Sequence, residues 1–300
     1  MLNTPVVYIC FNRFKLVEKT FQFIAKQKPK RLYIIMDGPR PSIDNDIIEI
    51  EKIQNYIKDN VTWQCHLIKI YSNYNLGLKK RVISGLNEVF KENENAIVLE
   101  DDCLPHKDFF FFCEQIHERY KGHKNIKFTT GNNFQENKKI YSEDYYFSKY
   151  SHIWGWSCNK DLWFEINFDH TYWENYLSSS QFKNLFETSK EFKYWVNAFN
   201  LIGKGKQMSW SIYLLLTMWR NNYLTATPNI NLVQNLGLEE GTNTKSLNLE
   251  TQISSLSLNR PLVHPLDIRR NIKNDQFVFY NVYKKNIIKK IYEMITCLFK

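Results

Sequence analysis

The chain has 300 residues, of which 43% are hydrophobic and 16% aromatic, so it is long enough to bury a core in one large or two small domains. Its 10 glycines and 8 prolines exclude a linker or low-complexity protein. The net charge of +9 favours an anionic partner, but no dense basic stripe with interleaved aromatic residues occurs before the C-terminal segment, which argues against nucleic-acid binding.

The first hundred residues alternate between short apolar runs and segments with helical spacing of apolar residues. The pattern predicts strands at 6–11, 32–36, 66–71 and 96–99, and helices at 14–27, 43–60 and 78–92. Strands and helices that alternate in this way, with short loops, predict an α/β fold with a mainly parallel sheet. Ligands of such sheets bind beyond the carboxyl ends of the strands.

The second half of the chain is less regular. The pattern predicts strands at 126–130 and 145–147, a buried helix at 211–221, an extended segment at 225–231 and a polar loop at 238–257. The chain from 284 onward returns to helical spacing. These elements are expected to complete the same α/β fold.

Three consecutive carboxylates follow the fourth predicted strand. Glu100, Asp101 and Asp102 come directly after the apolar run 96–99, and apolar residues follow them. Like charges at one strand end repel each other unless a cation neutralises them. Divalent ions such as Mg²⁺ or Mn²⁺ bind carboxylate oxygens and keep positions open for phosphate oxygens. The cluster therefore predicts a metal site, and the alternative is a solvated acidic turn.

The loops after the first and third strands carry the other polar signals. The first loop, 11–14, is polar with aromatic flanks, which suits a nucleoside or is an ordinary turn. It contains no glycine-rich phosphate motif, which argues against a dinucleotide dehydrogenase or a P-loop enzyme. Lys79, Lys80 and Arg81 open the third helix, where cations oppose the helix dipole, so they predict a docked anion such as a diphosphate or, alternatively, a solvated basic turn.

Four segments together carry a family resemblance: residues 4–13, the Asn75-Leu76-Gly77-Leu78 turn, residues 98–102 with Phe109-Phe110, and residues 152–156. Their order and spacing resemble GT-A-fold glycosyltransferases, most closely the bacterial polysaccharide type related to family 2, and more faintly N-acetylglucosaminyltransferase I. The resemblance implies transfer of a sugar from a nucleotide diphosphate sugar, usually UDP-linked, with a divalent metal and inversion at the anomeric carbon. It implies a nucleotide-sugar half at 1–125, an acceptor half of the same domain at 126–265 and a tail at 266–300.

The resemblance also assigns roles to individual residues. The donor-binding residues would be Phe11, Asn12, Arg13, Asp37, Asn75, Gly77, Lys80, Arg81 and Asp101. The metal ligands would be Asp102 and Glu100, with His264 as a further candidate. The acceptor-binding residues would be His152, Trp154, Gly155, Trp156 and Trp210.

One position departs from the family pattern. Relatives carry an aspartate after a tryptophan at the start of a late helix, where it serves as general base, but here Trp210 is followed by Ser211. A serine hydroxyl has no pKa near neutrality and cannot replace that base. The candidates for the base are therefore Glu239 and Glu240, in the polar loop, and then Glu174.

The tail predicts a membrane contact. Its apolar residues follow helical spacing, and four lysines lie off that face: Ile287, Ile288, Ile291, Met294, Ile295 and Leu298, with Lys284, Lys285, Lys289 and Lys290. This pattern is typical of a helix on an anionic membrane surface, and the alternative is a helix docked on its own domain.

Cysteine usage and the N-terminus indicate the compartment. The six cysteines form no C-x-x-C pair, and the chain enters a strand by Val6 without a charged leader, so we expect reduced thiols and no signal peptide. No apolar run approaches the roughly 20 residues of a spanning helix. The sequence thus predicts a cytoplasmic, peripheral membrane glycosyltransferase that builds a capsule or lipopolysaccharide glycan on a glycan or lipid-linked acceptor. The alternatives are a nucleotidyltransferase or a catalytically impaired glycan-binding or scaffold subunit.

Overall fold

The computed structural model describes residues 1–135, 142–203, 209–237 and 252–284. Its first part is the predicted alternation: β1 (Val6–Cys10), α1 (Phe14–Gln27), β2 (Arg31–Met36), α2 (Asp44–Asn60), β3 (His66–Tyr71), α3 (Leu78–Glu92) and β4 (Asn95–Glu100). The bounds of α1, β3 and α3 are those that the apolar spacing predicts. The other elements of this part differ from prediction by a residue or so at their ends.

The second part contains more elements than the sequence pattern predicts. They are β5 (Cys103–Pro105), α4 (Phe109–Arg119), β6 (Ile126–Thr130), β7 (Tyr145–Ser148), β8 (Trp156–Asn159), α5 (Lys160–Glu165), a 3₁₀ turn (Thr171–Trp173), α6 (Glu174–Leu177), α7 (Ser180–Lys183), α8 (Ser189–Gly203), α9 (Ser211–Arg220), β9 (Leu224–Pro228) and β10 (Val233–Asn235). A C-terminal helix (Ile272–Val278) continues as a π-helix (Phe279–Tyr283).

One eight-stranded sheet runs through both parts, in the order β3-β2-β1-β4-β8-β6-β9-β7. Strands β1 to β4, β6 and β9 point the same way, whereas β8 and β7 are antiparallel to their neighbours. The predicted mainly parallel α/β sheet is therefore confirmed. Strand β8 was not predicted, and it lies between β4 and β6.

The strand order reverses at β1. The chain moves from β1 outward to β2 and β3, and then returns to place β4 on the other side of β1. Adjacent strands whose connections leave in opposite directions open a crevice at their carboxyl ends, which is where ligands of open α/β sheets bind. The loops after β1 and β4 face each other across this crevice.

Both faces of the sheet are buried, so β1 contributes alternate side chains to two cores. Val7 and Ile9 belong to the core that includes α3, α5, α8 and α9, and this core is rich in tryptophan. Val6, Tyr8 and Cys10 belong to the core that includes α1, α2 and α4. Helices on both faces explain why β1 is a continuous apolar run.

The structure also bears on the predictions of free thiols and of helices that do not span a membrane. The five cysteines in the described residues are free thiols, as expected: Cys10, Cys65, Cys103, Cys113 and Cys158. Within the described ranges, the helices are too short or too polar to span a membrane. The loop at 238–251, with Glu239 and Glu240, and the tail at 285–300 lie outside the described residues.

Candidate functional site

The crevice between β1 and β4 holds a cation and two carboxylates. Arg13 follows β1, and its guanidinium pairs with Asp101 through Nη2 and donates from Nε to Asp101 Oδ2 at 3.3 Å. The Nη1 atom of the same group lies 3.1 Å from Asp102 Oδ2. Because Asp101 and Asp102 follow β4, one side chain joins the two loops that flank the crevice.

Backbone and hydroxyl contacts hold the carboxylate cluster at the strand end. The backbone N–H of Asp101 donates to the carbonyl of Ile9 at 3.0 Å. The hydroxyl of Thr20, on α1, lies 3.1 Å from the carbonyl oxygen of Asp101. The side chain of Asp101 is 3% exposed, whereas that of Asp102 is 14% exposed. Asp101 is thus the buried partner of Arg13, and Asp102 is the more accessible carboxylate.

The three carboxyl groups of the cluster repel one another, as expected for three consecutive acids. Burial, together with the charges of Asp102 and Asp101, raises the pKa of Glu100 to about 8. Burial also raises the pKa of Asp101, to about 6, although the ion pair with Arg13 opposes this shift. Desolvation and like charge both favour the protonated form of a carboxyl group. A further cation at this site would relieve the repulsion.

The described residues bring together no three histidine, cysteine or acidic side chains that could hold a metal by themselves. His264 lies beside β7 instead, with its Nδ1 atom 2.9 Å from the hydroxyl of Tyr145. Magnesium is commonly held by one or two carboxylates together with substrate phosphates. Asp102 fits that kind of site, because it is partly exposed and already faces a cation.

Strand β10 completes the wall beside Asp102. It pairs with β5, and the backbone N–H of Leu236 donates to the carbonyl of Asp102 at 2.8 Å. A Cβ atom on Gly237 would lie 2.5 Å from Asp102 Oδ2. Glycine at 237 therefore leaves the space that the Asp102 carboxylate occupies. Glu239 and Glu240 follow two and three residues later in the sequence.

Asp37 holds the turn that leads into α3. Its carboxylate accepts hydrogen bonds from the backbone N–H groups of Leu76 and Gly77, both at 2.9 Å. The side chain of Asn75 donates to the carbonyl of Gly38 at 2.9 Å, and Gly77 has a φ of +78° that favours glycine. Asp37, Asn75 and Gly77 are brought together, and their hydrogen bonds shape the loop.

Arg81 is a buried cation in the first turn of α3. It is 7% exposed, and among the described residues its side chain forms no ion pair. Its Nε atom is buried without a hydrogen-bond partner. Burial lowers the pKa of Arg81, and the charge of Asp37 partly offsets this effect. Lys80, by contrast, is exposed. A buried cation that forms no direct ion pair is costly unless an anion binds beside it.

A second ion pair, which sequence analysis missed, supports the β1 loop. Asp46 is fully buried in the first turn of α2 and accepts from Arg40 Nε at 2.7 Å and Arg40 Nη2 at 2.8 Å. The amide of Asn12 donates to the same carboxylate at 2.7 Å. Hydrogen bonds from Arg40 lower the pKa of Asp46 to about 2. In the sequence, Asp46 is only an acidic residue in the first turn of a helix. Such residues are common because they interact favourably with the helix dipole, so the position did not indicate a buried ion pair.

The guanidinium of Arg40 also lies over the ring of Phe11, 5.6 Å from its centroid. Phe11, Asn12 and Arg13 are each half-buried. Their loop is therefore anchored from two sides, by Asp46 on α2 and by the acidic cluster after β4. The expected donor loop is ordered by the chain's own contacts.

The aromatic segment before β8 divides into a surface part and a core part. Trp156 and Trp210 are 1% and 3% exposed, and their ring centroids lie 5.8 Å apart in the tryptophan-rich core. Trp154 is half-buried, and its backbone N–H donates to Asn132 Oδ1 at 3.0 Å. Gly155 has a φ of +63°, and a Cβ atom there would lie 2.6 Å from Val233 Cγ2. Of the three tryptophans, Trp154 is the one that reaches the surface.

His152 is enclosed by rings rather than by ligands. The centroid of Phe134 lies 4.6 Å away, and Tyr150 and Tyr283 stack beside it. Burial lowers the pKa of His152 to about 3, so the ring is neutral at physiological pH. Phe134 also contacts Trp154, at 5.5 Å between ring centroids. His152 therefore packs against Phe134, which in turn packs against Trp154.

The candidate bases are not gathered at one place in the described residues. Ser211, at the start of α9, has its hydroxyl 2.8 Å from that of Ser209. Glu174 follows the 3₁₀ turn, where Tyr172 lies under the guanidinium of Arg220 at the other end of α9. Ten residues of helix separate these ends by about 15 Å at 1.5 Å per residue. The structure therefore does not bring Glu174 to the end of α9 that begins at Ser211.

No protein-family model matches the chain, and no curated protein matches it. Among solved structures, it resembles S. aureus TarS 1–349 in complex with UDP-GlcNAc, at 14% identity and a TM-score of 0.37 over 56% of this chain and 49% of that one. It also resembles the Pyrobaculum calidifontis mannosyltransferase PcManGT in complex with GDP-Man and Mn²⁺, at 10% identity and a TM-score of 0.37 over 74% and 70% of the chains.

A third similar structure is UDP-glucose pyrophosphorylase complexed with UDP-glucose, at 12% identity and a TM-score of 0.31 over 55% of this chain and 79% of that one. The chain thus spans about half of the TarS fragment. Glycosyltransferases and a nucleotide-sugar pyrophosphorylase occur together among these distant similarities.

Proposed function

We propose that this protein is a glycosyltransferase that moves a sugar from a nucleotide diphosphate sugar, of the UDP-linked type, to a glycan or lipid-linked acceptor. The observation that carries the proposal is the cluster of Arg13, Asp101 and Asp102 in the crevice between β1 and β4. A nucleotide diphosphate needs cationic groups for its phosphates, and this crevice combines a cation with carboxylates that attract another.

The donor would lie along the carboxyl edge of the sheet. The half-buried loop of Phe11, Asn12 and Arg13 would contact the nucleoside, and the turn that Asp37 shapes would close around it. Arg81 would pair with a phosphate oxygen, which would supply the hydrogen-bond partner that its buried Nε atom lacks among the described residues. The exposed Lys80 would add longer-range attraction.

A divalent ion, Mn²⁺ or Mg²⁺, would be held by Asp102, with Glu100 behind it. When bound, such an ion neutralises charge on the leaving diphosphate. Arg13 would keep Asp101 ionised and would orient Asp102 through the 3.1 Å contact. We leave His264 out of the proposed site, because it lies beside β7 with its Nδ1 atom 2.9 Å from the hydroxyl of Tyr145.

The acceptor would rest against Trp154, whose ring Phe134 and His152 support. An inverting transfer needs a base for the proton of the acceptor hydroxyl. We assign that role to Glu239 or Glu240, because the chain passes Asp102 at Gly237 just before them.

One observation favours an impaired, glycan-binding protein as the second candidate. Ser211 occupies the position where relatives carry the base, and its hydroxyl contacts that of Ser209. Such a protein would bind the nucleotide diphosphate and would release no product. The proposed membrane-peripheral location rests on the apolar and lysine spacing of the tail, and the proposed cytoplasmic compartment rests on the cysteine pattern.

A binding screen followed by a turnover assay tests the proposal. UDP, GDP and CDP are added with Mn²⁺ or with EDTA, and the melting temperature is measured, because selective binding stabilises the folded state. The expected result is stabilisation by one nucleotide diphosphate in Mn²⁺, and release of that nucleotide from its sugar conjugate when a glycan acceptor is added. Binding without turnover supports the impaired protein. Pyrophosphate release from a nucleoside triphosphate and a sugar phosphate would instead identify a nucleotidyltransferase.

A further inference from the structure

Exposed apolar side chains concentrate beside β7, the outermost strand of the sheet. Leu266 is 97% exposed, and Ile268, Ile272 and Tyr280 are between 38% and 47% exposed. Basic side chains lie among them in sequence. We call this surface the C-terminal face, and it consists of Leu266, Ile268, Arg269, Ile272, Lys273 and Tyr280. Apolar residues at this exposure, clustered and interleaved with bases, indicate an interaction surface.

Ion pairs with Asp267, Asp275 and Glu187 neutralise Arg269 and Arg270, so Lys273 is the base of the C-terminal face without an ion pair among the described residues. Residues 266–284 contain four bases and two acids, Asp267 and Asp275. Asp275 is 1% exposed and pairs with Arg270, so its negative charge is neutralised inside the protein. Asp267 pairs with Arg269. Lys273 is exposed and forms no ion pair within the described part of the chain.

The C-terminal helix has one side buried against the domain and another side exposed. Asn274, Asp275 and Val278 are buried against the domain. Ile272, on the α-helix, is 47% exposed, and Tyr280, on the π-helix that follows it, is 38% exposed. The Nζ atom of Lys284 lies 5.0 Å from the ring centroid of Tyr280. An aromatic ring with a lysine at its edge suits the boundary between hydrocarbon and water.

Internal contacts hold the C-terminal face in place. The backbone N–H of Asn271 donates to the carbonyl of Phe147, on β7, at 2.7 Å. Asp275 accepts from the hydroxyl of Ser148 at 2.5 Å and from the backbone N–H of Lys149 at 3.2 Å. Because this surface is already ordered, docking loses little conformational entropy here.

We propose that the C-terminal face docks on an anionic lipid bilayer, next to the tail at 285–300. The proposal rests on the membrane location proposed above, and adds a second, folded contact to the tail. Single apolar side chains that protrude, as Leu266 does, insert among lipid headgroups, and neighbouring bases attract anionic lipid.

The test measures binding of the full chain to phosphatidylcholine vesicles with and without phosphatidylglycerol. The variant is Leu266→Asp/Ile268→Asp. The matched control is Ile47→Asp/Ile48→Asp, because these two residues are 50% and 51% exposed on α2. We expect the variant to lose about tenfold in binding to anionic vesicles, since it removes inserted apolar surface and adds repulsion. The control should bind like the wild type, and both should keep the wild-type melting temperature.

A tail deletion, Δ285–300, separates this proposal from the location on which it rests. Residual vesicle binding by the deletion that Leu266→Asp/Ile268→Asp then abolishes supports the C-terminal face. If the Leu266→Asp/Ile268→Asp variant binds like the control, the face is not a membrane contact, whether or not the tail is one. If the wild type binds no anionic vesicle, both ideas fail. Unchanged vesicle binding with altered sedimentation of the variant would assign the face to protein contact instead.

Discussion

The Nη1 atom of Arg13 lies 3.1 Å from Oδ2 of Asp102, and this contact bridges the crevice between β1 and β4. The guanidinium of Arg13 neutralises part of the negative charge of the three adjacent acids. Asp102 stays partly exposed, and Gly237 lies against its carboxylate.

Replacing Asp102 with alanine should abolish the stabilisation of the protein by UDP in Mn²⁺. The reason is that Asp102 is the accessible carboxylate of the cluster. In the wild type, ligand at about 100 times its Kd should stabilise the fold by about 2.7 kcal/mol, measured as a shift in Tm. Asp161→Ala, which changes an exposed carboxylate on α5, is the control and should keep the shift. Equal stabilisation of the wild type in EDTA would contradict the metal role.

Replacing Arg81 with methionine should weaken nucleotide binding and leave the free protein as stable as before, or more stable by about 1 kcal/mol. The guanidinium is buried without a hydrogen bond at Nε, so its removal relieves desolvation in the free protein. In the complex, loss of a charge-assisted contact should reduce affinity roughly tenfold to a hundredfold. Calorimetric titration and urea unfolding measure the two effects.

Lys91→Met, at the exposed end of the same helix, is the matched control for Arg81→Met and should change neither quantity. A large loss of stability in Arg81→Met with normal nucleotide affinity would show that Arg81 serves the fold alone.

The free energy of unfolding should fall as the pH rises from about 4.5 to about 8, through the contribution of Glu100. Its pKa is raised in the folded protein, so the folded state holds the proton more tightly than the unfolded chain. Stability from this group is complete below its unfolded pKa and is lost as pH rises through the folded value. Glu100→Gln should flatten the profile and should be more stable than the wild type at pH 8 by roughly 1–3 kcal/mol.

Glu88→Gln changes an exposed glutamate on α3 and serves as the control for the pH profile. Urea unfolding at several pH values measures the difference. A Glu100→Gln profile parallel to that of the wild type would show that Glu100 is ionised in the folded protein at neutral pH.

Replacing Ser211 with alanine should leave sugar transfer within about tenfold of the wild type, because a serine hydroxyl is no base at neutral pH. The pair Glu239→Gln/Glu240→Gln should lose several orders of magnitude in kcat and little nucleotide affinity. Glu174→Gln should resemble Ser211→Ala, since Glu174 lies toward the Arg220 end of α9. A severe loss in Ser211→Ala with active glutamate variants would overturn this assignment.

Local patterns in the sequence determined the elements of the first half and the identity of its strand-end residues. The spacing of apolar residues is set by helix and strand geometry, so α1, β3 and α3 were predictable at their observed bounds. The position of Glu100-Asp101-Asp102 directly after an apolar strand was likewise readable, because a parallel sheet presents its strand ends together.

Only the tertiary structure decided how those residues are used. Arg13 and Asp101 are 88 positions apart, and sheet order alone brings them together. The same holds for the insertion of β8, which buries Trp156, a residue that the family resemblance assigned to acceptor binding. Burial and pairing across the sheet depend on which strands become neighbours, and short-range periodicity carries no information about that choice.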